Sequence, residues 1–417
     1  DRPATNSSHT HFTASTLTTM ASLTRGIFIV GAKRTPFGTF GGKLAKHTPT
    51  DLQEVAAKAA LTAANVKPEN VDSVVIGNVI GCAHTDTIYI ARHVGLRCGV
   101  PLEAPALAVN RLCGSGFQSV VNGAQEILMG DSKVVLTGGT DSMSMAPYAV
   151  RNIRFGTRLG SDLSMEDTLW ASLTDAHCKT PMGVTAENLA AKYNITRQDA
   201  DEFALRSQTN WAAAQENGHF AAEIAPVTIK SKKGAVEMVM DEHPKPATTA
   251  EGLAKLPPVF KKGGTVTAGT ASGISDGAGA VVLAGEGACG ELGLTPLARL
   301  VGYSVAGVDP TIMGIGPAPA IRKLLKVTGV DLKDVGLVEI NEAFAPQTIA
   351  CQRELDLDPS ILNMSGGAIA LGHPLGASGS RITAHVAHEI RRRGLKYGIG
   401  SACIGGGQGI ALLLEAM

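Results

Sequence analysis

The sequence has few aromatic side chains, no excess of either charge and no long apolar run. Aromatic residues are 4% of the 417 positions, and Lys plus Arg equals Asp plus Glu at 37 each. A balanced chain has no overall field to attract nucleic acid or an acidic membrane, so neither partner is expected. Glycine and polar residues interrupt every apolar segment before it could cross a bilayer. No integral membrane segment is therefore expected, and the length suffices for two or more packed units.

The seven cysteines lack a regular pairing pattern. An odd count with irregular spacing is typical of free thiols in a reducing compartment. There is no CxxC pair or zinc-type cluster; we interpret the lone Cys82-Ala-His84 pair as structural and predict no metal site. The glycine-rich turns do not match a P-loop, and no GxGxxG motif follows the first predicted strand. Bound ATP or NAD is therefore not expected.

Residues 1–24 differ from the rest of the chain. They are rich in Ser and Thr, contain Asp1 as the only acid, and show neither a helix nor a strand period. Low acidity is typical of an organellar presequence, although Arg2 and Arg25 are few for that role. Alternatively, Met20 is the true start and the preceding residues are a translation or expression artefact. Both interpretations stay open, and we exclude residues 1–24 from the fold.

From Ile27 the chain alternates short apolar strands with amphipathic helices. Thr50-Asp-Leu-Gln53 matches a capping box at the start of a helical pattern. Val74–Ile76 and Val134–Leu136 have the composition of buried strands. This alternation predicts an α/β fold with a mainly parallel sheet covered on both faces.

Two parts of the chain repeat the same pattern. Gly116 to Val134 and Gly379 to Tyr397 both span 18 positions, which predicts duplicated halves whose turns converge on one site. The stretch 143–264 breaks the rhythm and is interpreted as an insertion, after which Gly277–Leu283 returns to the first half as a strand. We therefore divide the ordered chain into a first half (25–142 and 265–294), an inserted domain (143–264) and a second half (295–417).

Three glycine-rich turns carry candidate catalytic side chains. Cys113 precedes Gly-Ser-Gly and a helix, where exposed N–H groups and the positive helix end favour thiolate over thiol. His373, between a glycine and a proline in a turn expected at the end of a strand, could activate such a nucleophile. Cys403 precedes three glycines and offers a second thiol. The pattern predicts an enzyme with a cysteine nucleophile.

Polar residues outside these turns are weaker candidates. Asn341 directly follows a predicted strand and could orient water, although Asn in that place is usually a turn residue. Seven lysines lie between Lys230 and Lys262, mostly as a solvated face, from which one or two could contact nucleotide phosphates. The run Arg391–Arg393 is explained by the dipole at a helix C-terminus.

Four motifs, in order along the chain, resemble those of the thiolase family. They are Asn-Arg-Leu-Cys113-Gly-Ser-Gly, Asn341-Glu-Ala-Phe, Gly-His373-Pro-Leu-Gly and Cys403-Ile-Gly-Gly-Gly-Gln-Gly. The resemblance extends over residues 25–417. It implies a five-layer αβαβα fold made of two similar halves plus a loop domain.

The resemblance also implies a role for each motif residue. Cys113 is similar to the nucleophile that accepts the acyl group, and His373 to the group that activates it. Cys403 resembles the acid/base thiol of the family. Asn341 resembles the residue whose bound water, with His373, stabilises the thioester oxygen. The N–H groups of Cys113 and Gly405 match an oxyanion hole.

For coenzyme A, the resemblance points to Lys245, Thr248 and Ser272 in and after the insertion, and to Met182 beside the acyl region. Two positions depart from the family pattern. Lys245 stands where relatives usually have Arg, which keeps the charge but loses planar stacking and bidentate contacts. Thr270 replaces the usual Asn.

The family resemblance implies thiolytic cleavage of 3-oxoacyl-CoA in mitochondrial fatty-acid β-oxidation. Coenzyme A would be a co-substrate, with no permanently bound cofactor, and the assembly a homo-oligomer formed as a dimer of dimers. Pro181 replaces a His typical of acetoacetyl-specific relatives, which favours a broader acyl range. The alternatives are an acetoacetyl-CoA-specific thiolase, an acyl-CoA hydrolase and an acyl-CoA or lipid carrier. Chain length, direction in the cell and oligomeric state stay open.

Overall fold

The computed structural model describes residues 26–232 and 234–417. The segment 1–24, which was excluded from the fold above, lies outside the described residues. The strands are β1 (Ile27–Arg34), β2 (Gly38–Thr39), β3 (Ser73–Gly77), β4 (Ala106–Val109), β5 (Val134–Ser142), β6 (Tyr148–Val150), β7 (Met165–Asp167), β8 (Thr174–Asp175), β9 (Thr180–Pro181), β10 (Val227–Ser231), β11 (Gly234–Met238), β12 (Ser275–Gly285), β13 (Ala298–Gly307), β14 (Val335–Ile340), β15 (Tyr397–Ile404) and β16 (Gln408–Ala416).

The α-helices lie mainly between the strands of the two halves and in the insertion. They are α1 (Pro49–Ala63), α2 (Ile90–Cys98), α3 (Ser115–Met129), α4 (Thr168–Ser172), α5 (Met182–Lys192), α6 (Arg197–Glu216), α7 (Ala250–Ala254), α8 (Glu286–Leu292), α9 (Pro317–Thr328), α10 (Ala345–Leu355), α11 (Ala368–Leu371) and α12 (Ser378–Arg393).

The main sheet repeats one pairing pattern in both halves. Its order is β14-β15-β16-β13-β1-β12-β5-β3-β4. The parallel pair β3–β5 matches β14–β15, and the antiparallel pairs β5–β12 and β12–β1 match β15–β16 and β16–β13. The halves join where β1 and β13 pair antiparallel through Phe28 and Ile29. The duplication predicted from the sequence is therefore present in the strand pairing.

The sheet is mixed, so the prediction of a mainly parallel sheet is wrong. Strands β5, β12 and β1 are consecutive antiparallel neighbours, as are β15, β16 and β13. All of β5 and nearly all of β12 are buried. A strand covered on both faces has the same apolar composition whichever way its neighbours run, so its sequence does not report direction.

The helices and the two half-sheets form five layers. One core packs α1 and α2 on the first half, and a second packs α9 and α10 on the second half. A third core lies between the half-sheets, where α3 and α12 contact each other. A Cβ on Gly379 would lie 2.1 Å from the backbone N of Phe117, so the starts of these central helices meet backbone to backbone. The five-layer prediction is confirmed, and the turns preceding α3 and α12 are brought together.

The predictions for single helices and strands were partly correct. Helix α1 begins one residue before Thr50, and its capping box is Thr48 with Asp51. The amide of Gln53 instead donates to the carbonyl of Gly279, inside the fold. The insertion contains the long helix α6, which Thr196 caps. The predicted return of the chain after the insertion is confirmed as β12.

A buried arginine ties the insertion to the first half. Arg34 on β1 donates from Nε to Glu223 at 2.6 Å and from Nη1 to Asp241 at 2.7 Å. All three side chains are buried, and the guanidinium also lies against the rings of Phe37 and Phe220. The segment after Asp241, which contains two of the predicted coenzyme A contacts, Lys245 and Thr248, is thereby anchored to the sheet.

Candidate active site

Cys113 lies in a tight turn between β4 and α3. The preceding residue, Leu112, has φ +47°, and its backbone N–H donates to Oδ1 of Asn110 at 2.9 Å. A non-glycine residue in this region costs free energy that the surrounding contacts must offset, and such strain is common at catalytic turns. The Cys113 thiol is half-buried, and the backbone N–H groups of Gly405 and of Cys113 itself act to lower its pKa.

The Cys113 thiol is protonated at neutral pH. Burial raises its pKa to about 11, outweighing the two N–H groups that lower the pKa. We had expected the start of α3 to favour the thiolate. The helix begins two residues later, at Ser115, and desolvation of the charged form is the larger effect. If Cys113 is the nucleophile, as the sequence predicts, it needs a base when it reacts.

His373 is held in the turn between α11 and α12. Its backbone N–H donates to the carbonyl of Gly273 and to Oγ of Ser275, both at 2.9 Å. Gly372 has φ +96°, and a Cβ there would lie 2.1 Å from the Ser275 hydroxyl, so only glycine fits before the histidine. The expectation that His373 follows a strand is wrong: it follows the short helix α11, with the same result of a rigid turn.

The ring of His373 is buried and neutral. Burial, followed by the nearby Arg381 charge, lowers its pKa to about 3. Nδ1 lies 2.5 Å from the hydroxyl of Ser378, which also donates to the Pro374 carbonyl at 3.0 Å. A hydroxyl committed to that carbonyl accepts from Nδ1–H, which leaves Nε2 as the unprotonated ring nitrogen. This geometry gives a neutral base with a defined tautomer.

Asn341 adjoins this base. It follows β14 directly, and its backbone N–H donates to the carbonyl of Ser401 on β15. Its Nδ2 lies 3.3 Å from Nε2 of His373, and the side chain is fully buried. The end of β14 thus brings an amide to the catalytic edge of the imidazole.

Cys403 lies within β15 and is fully buried. It packs with Met313 and Ala343, and the cluster includes Met182 and Phe344. Burial, and then the neighbouring Cys113 sulfur, raise its pKa. The Cys403 thiol is therefore protonated. It lies close enough to Cys113 for a negative charge on that sulfur to raise the pKa of Cys403. Gly405 begins the turn from β15 to β16, and its backbone N–H is close enough to lower the pKa of Cys113.

Cys113 and His373 open onto one cavity of about 250 Å³. Of the predicted coenzyme A contacts, Ser272 and Met182 line this cavity, while Lys245 and Thr248 do not. Lys245 is exposed on the segment after Asp241, where its N–H donates to Gln208 and its carbonyl accepts from the Thr248 hydroxyl. Apolar side chains make up most of the remaining wall: Met143, Trp170, Leu173, Phe260, Met313 and Phe344.

Sequence reasoning missed the side chains that orient His373. Ser378 lies five positions later, at the start of α12, and Ser275 is on a strand of the other half. The spacing of Ser378 could have been noticed, since a residue at the next helix start can face back into the turn. The contact with Ser275 has no local signal because 98 positions separate the two residues.

The described residues provide neither a metal cluster nor a membrane helix. No group of three or more His, Cys, Asp or Glu side chains in 26–232 and 234–417 is arranged to hold a metal ion. Every helix in that part of the chain is too short or too polar to span a bilayer.

Comparison with known proteins matches both halves. Residues 27–287 match the model of the thiolase N-terminal domain, and residues 294–416 that of the thiolase C-terminal domain. A Bos taurus relative named mitochondrial 3-ketoacyl-CoA thiolase is 64% identical over 94% of this chain and 99% of its own length. An acetyl-CoA acetyltransferase from Syntrophomonas wolfei is 44% identical over 95% of this chain and 100% of its own length.

A solved structure is also similar to this chain. The crystal structure of human mitochondrial 3-ketoacyl-CoA thiolase in complex with CoA superposes with a TM-score of 0.92 at 62% identity, covering 95% of this chain and 99% of that one.

Proposed function

Because the chain belongs to the thiolase family, we propose that it cleaves 3-oxoacyl-CoA with coenzyme A, giving acetyl-CoA and a shortened acyl-CoA. The observation that carries this activity is the convergence of Cys113, His373, Asn341 and Cys403 from both halves. The similar cow and human proteins are named mitochondrial, and we place this reaction in mitochondrial fatty-acid oxidation.

In the first half-reaction Cys113 gains its charge from His373. Nε2 of the neutral imidazole takes the Sγ–H proton as sulfur attacks the 3-keto carbon. The resulting oxyanion accepts from the N–H groups of Cys113 and Gly405, the two groups that lower the pKa of the Cys113 thiol. The C2–C3 bond then breaks, leaving an acyl group on Cys113.

The departing two-carbon unit leaves as the enolate of acetyl-CoA. Its thioester oxygen lies between Asn341 and His373, and its carbon takes the Sγ–H proton of Cys403. In the second half-reaction Cys403 takes the thiol proton of incoming coenzyme A, whose sulfur attacks the acyl-enzyme. Cys113 leaves and regains its proton from His373. A raised pKa keeps Cys403 protonated until the carbanion forms.

We assign coenzyme A binding to Ser272 and Met182 at the cavity and to Lys245 and Thr248 along the path outward. The cavity contacts support the first pair. The insertion 143–264 supplies Met182, Lys245 and Thr248. We assign 25–142 and 265–294 to the first half and 295–417 to the second half. Family resemblance is the support for a dimer of dimers.

The apolar wall of the cavity supports substrates with acyl chains longer than that of acetoacetyl-CoA. Pro181 and Met182 line the cavity with Trp170, Leu173 and Phe260, which offer apolar surface and few hydrogen-bond donors. Each buried CH₂ of an acyl chain contributes about 0.8 kcal/mol against such a surface. This wall favours a 3-ketoacyl-CoA thiolase over the acetoacetyl-specific alternative.

The test measures loss of acetoacetyl-CoA and of a C10 3-oxoacyl-CoA, with and without free coenzyme A. We expect CoA-dependent loss of both substrates, faster for C10, and no activity for Cys113→Ala. Cys98→Ala is the matched control, since Cys98 is a buried thiol on α2 away from the cavity. Loss without coenzyme A would favour the hydrolase, loss of acetoacetyl-CoA alone the specific thiolase, and no loss the carrier.

A further inference from the structure

A buried carboxylate at the end of β5 accepts four hydrogen bonds from two separate loops. Oδ1 of Asp141 accepts from Nδ2 of Asn78 at 2.9 Å and from the backbone N–H groups of Val79 and Ile80 at 3.2 and 2.9 Å. Oδ2 accepts from the N–H of Gly376 at 2.5 Å. Asp141 is fully buried, and no predicted or assigned role includes it.

One of the two loops leads to the nucleophile. The carbonyl of Val79 accepts from Nδ2 of Asn110 at 3.4 Å, and Oδ1 of the same amide accepts from the N–H of Leu112. Leu112 is the strained residue that immediately precedes Cys113. Asp141 therefore fixes the loop on which the Cys113 turn rests.

The other loop carries the base. Gly376 is three positions after His373, in the turn between α11 and α12. A Cβ on Gly376 would lie 2.6 Å from the carbonyl of Thr140, so this turn sits directly on the end of β5. The hydrogen bond to Asp141 fixes the distance between the His373 turn and the end of β5.

We propose that Asp141 is a positioning residue that holds the Cys113 loop and the His373 turn in register across the two halves. A carboxylate has acceptor sites for four donors and carries no hydrogen of its own. An amide of the same shape would direct an N–H group at one of the four donors. The proposal rests on the proposed roles of Cys113 and His373.

Charge gives Asp141 a second, measurable effect. Asp276 lies on the neighbouring strand β12, opposite Ser142, and, after burial, its charge also raises the pKa of Asp141. The titratable groups beyond the two loops are Cys113 and His373. Burial raises the pKa of Asp141 to about 7, so the group is ionised at alkaline pH. There its negative charge contributes to the raised pKa of Cys113. Removing that charge should lower the pH at which Cys113 becomes a thiolate.

The experiment compares Asp141→Asn, Asp141→Glu and the control Asp276→Asn. Asp276 is also a largely buried acid, but its carboxylate accepts from Ser144 rather than from either catalytic loop. The readouts are kcat and KM for thiolysis, and the rate of Cys113 alkylation by iodoacetamide between pH 7 and 11, followed by peptide mass spectrometry. Thermal unfolding checks that each variant is folded.

Both Asp141 variants should lower kcat by about tenfold or more with little change in KM, because small displacements of reacting groups are costly. Only Asp141→Asn should shift the alkylation midpoint to lower pH, since Asp141→Glu keeps the charge while its extra methylene displaces Gly376. Asp276→Asn should keep kcat within about twofold.

The proposal is overturned if Asp141→Asn keeps kcat within twofold, if its alkylation midpoint does not move, or if Asp276→Asn is equally impaired. Should Asp141→Asn fail to fold, Asp141→Glu decides alone: a tenfold loss of kcat in a folded protein supports positioning, and unchanged kcat refutes it. Alkylation does not use the acyl-CoA substrate. A wild-type protein without thiolytic activity would therefore defeat the proposed function, while the alkylation midpoints would still test Asp141.

Discussion

Replacing Ser378 by Ala tests whether the hydroxyl on α12 makes His373 an effective base. The hydroxyl lies 2.5 Å from Nδ1 and is oriented by the Pro374 carbonyl, so it selects the tautomer with a free Nε2. When Nε2 takes the proton of Cys113, the ring becomes a cation and Nδ1–H becomes a stronger donor. The serine should therefore matter more in the transition state than in the resting enzyme.

The expected loss follows from the burial of this contact. His373 is 6% exposed and Ser378 is 1% exposed, so water does not replace the missing hydroxyl freely. A buried donor left without a partner costs about 1–3 kcal/mol. At 1.36 kcal/mol for each factor of ten, this corresponds to about a 5- to 150-fold decrease in kcat/KM for thiolysis.

Ser380→Ala is the matched control on the same helix. Ser380 is also buried, and its hydroxyl donates to the Ala377 carbonyl at 2.9 Å rather than to His373. Steady-state thiolysis of a C10 3-oxoacyl-CoA would be compared for both variants, together with thermal unfolding. The reasoning is refuted if Ser378→Ala stays within twofold of wild type, or if Ser380→Ala loses as much activity.

Two further predictions concern the second thiol and the buried arginine. Cys403→Ala should still form an acyl-enzyme on Cys113 but should not exchange the α-proton of acetyl-CoA in deuterated buffer; an acyl group trapped on Cys403 itself would contradict the assignment. Arg34→Met should lower the free energy of unfolding by about 3–5 kcal/mol at pH 7, because Glu223 and Asp241 lose their cation. Against the effect of burial, the charges of His385 and then of Arg34 hold the pKa of Glu223 below its usual value of 4.5, so the contribution of Glu223 is present above that pH and is lost as the pH falls. The difference from wild type in urea unfolding should therefore narrow in acid, and an equal difference at pH 7 and pH 4 would argue against this account.

Cys113 illustrates how much of a candidate site can be predicted from the local sequence. The turn around Cys113 predicts a nucleophile before a helix, and the structure places such a turn there. The protonation state was predicted wrongly because a helix-end dipole is visible in the sequence, whereas desolvation depends on how many distant groups cover the sulfur. Ile404, from the last hairpin, packs against Gly114 and contributes to that cover.

The direction of neighbouring strands is a second feature that the local sequence does not predict. The apolar runs of β5 and β12 predict buried strands, and both are present. Their antiparallel pairing follows from where the chain re-enters the sheet after 132 intervening positions, between Ser142 and Ser275. The predicted position of the α1 capping box was wrong for a simpler reason. Thr48 and Thr50 are both plausible N-caps, and the proline between them admits the earlier start.

The sequence by itself determined the chemistry and the repetition: two thiols, an imidazole and an amide, each in its own glycine-rich or strand-end turn, in a chain whose halves share one pattern. Only the tertiary structure decided their charge and their alignment. Close packing at Gly379 brings the two helix starts together, and side chains from other elements, Ser275 and Asp141 among them, hold the turns. Burial and long-range hydrogen bonds are properties of the folded surroundings, and no single segment of the chain encodes them.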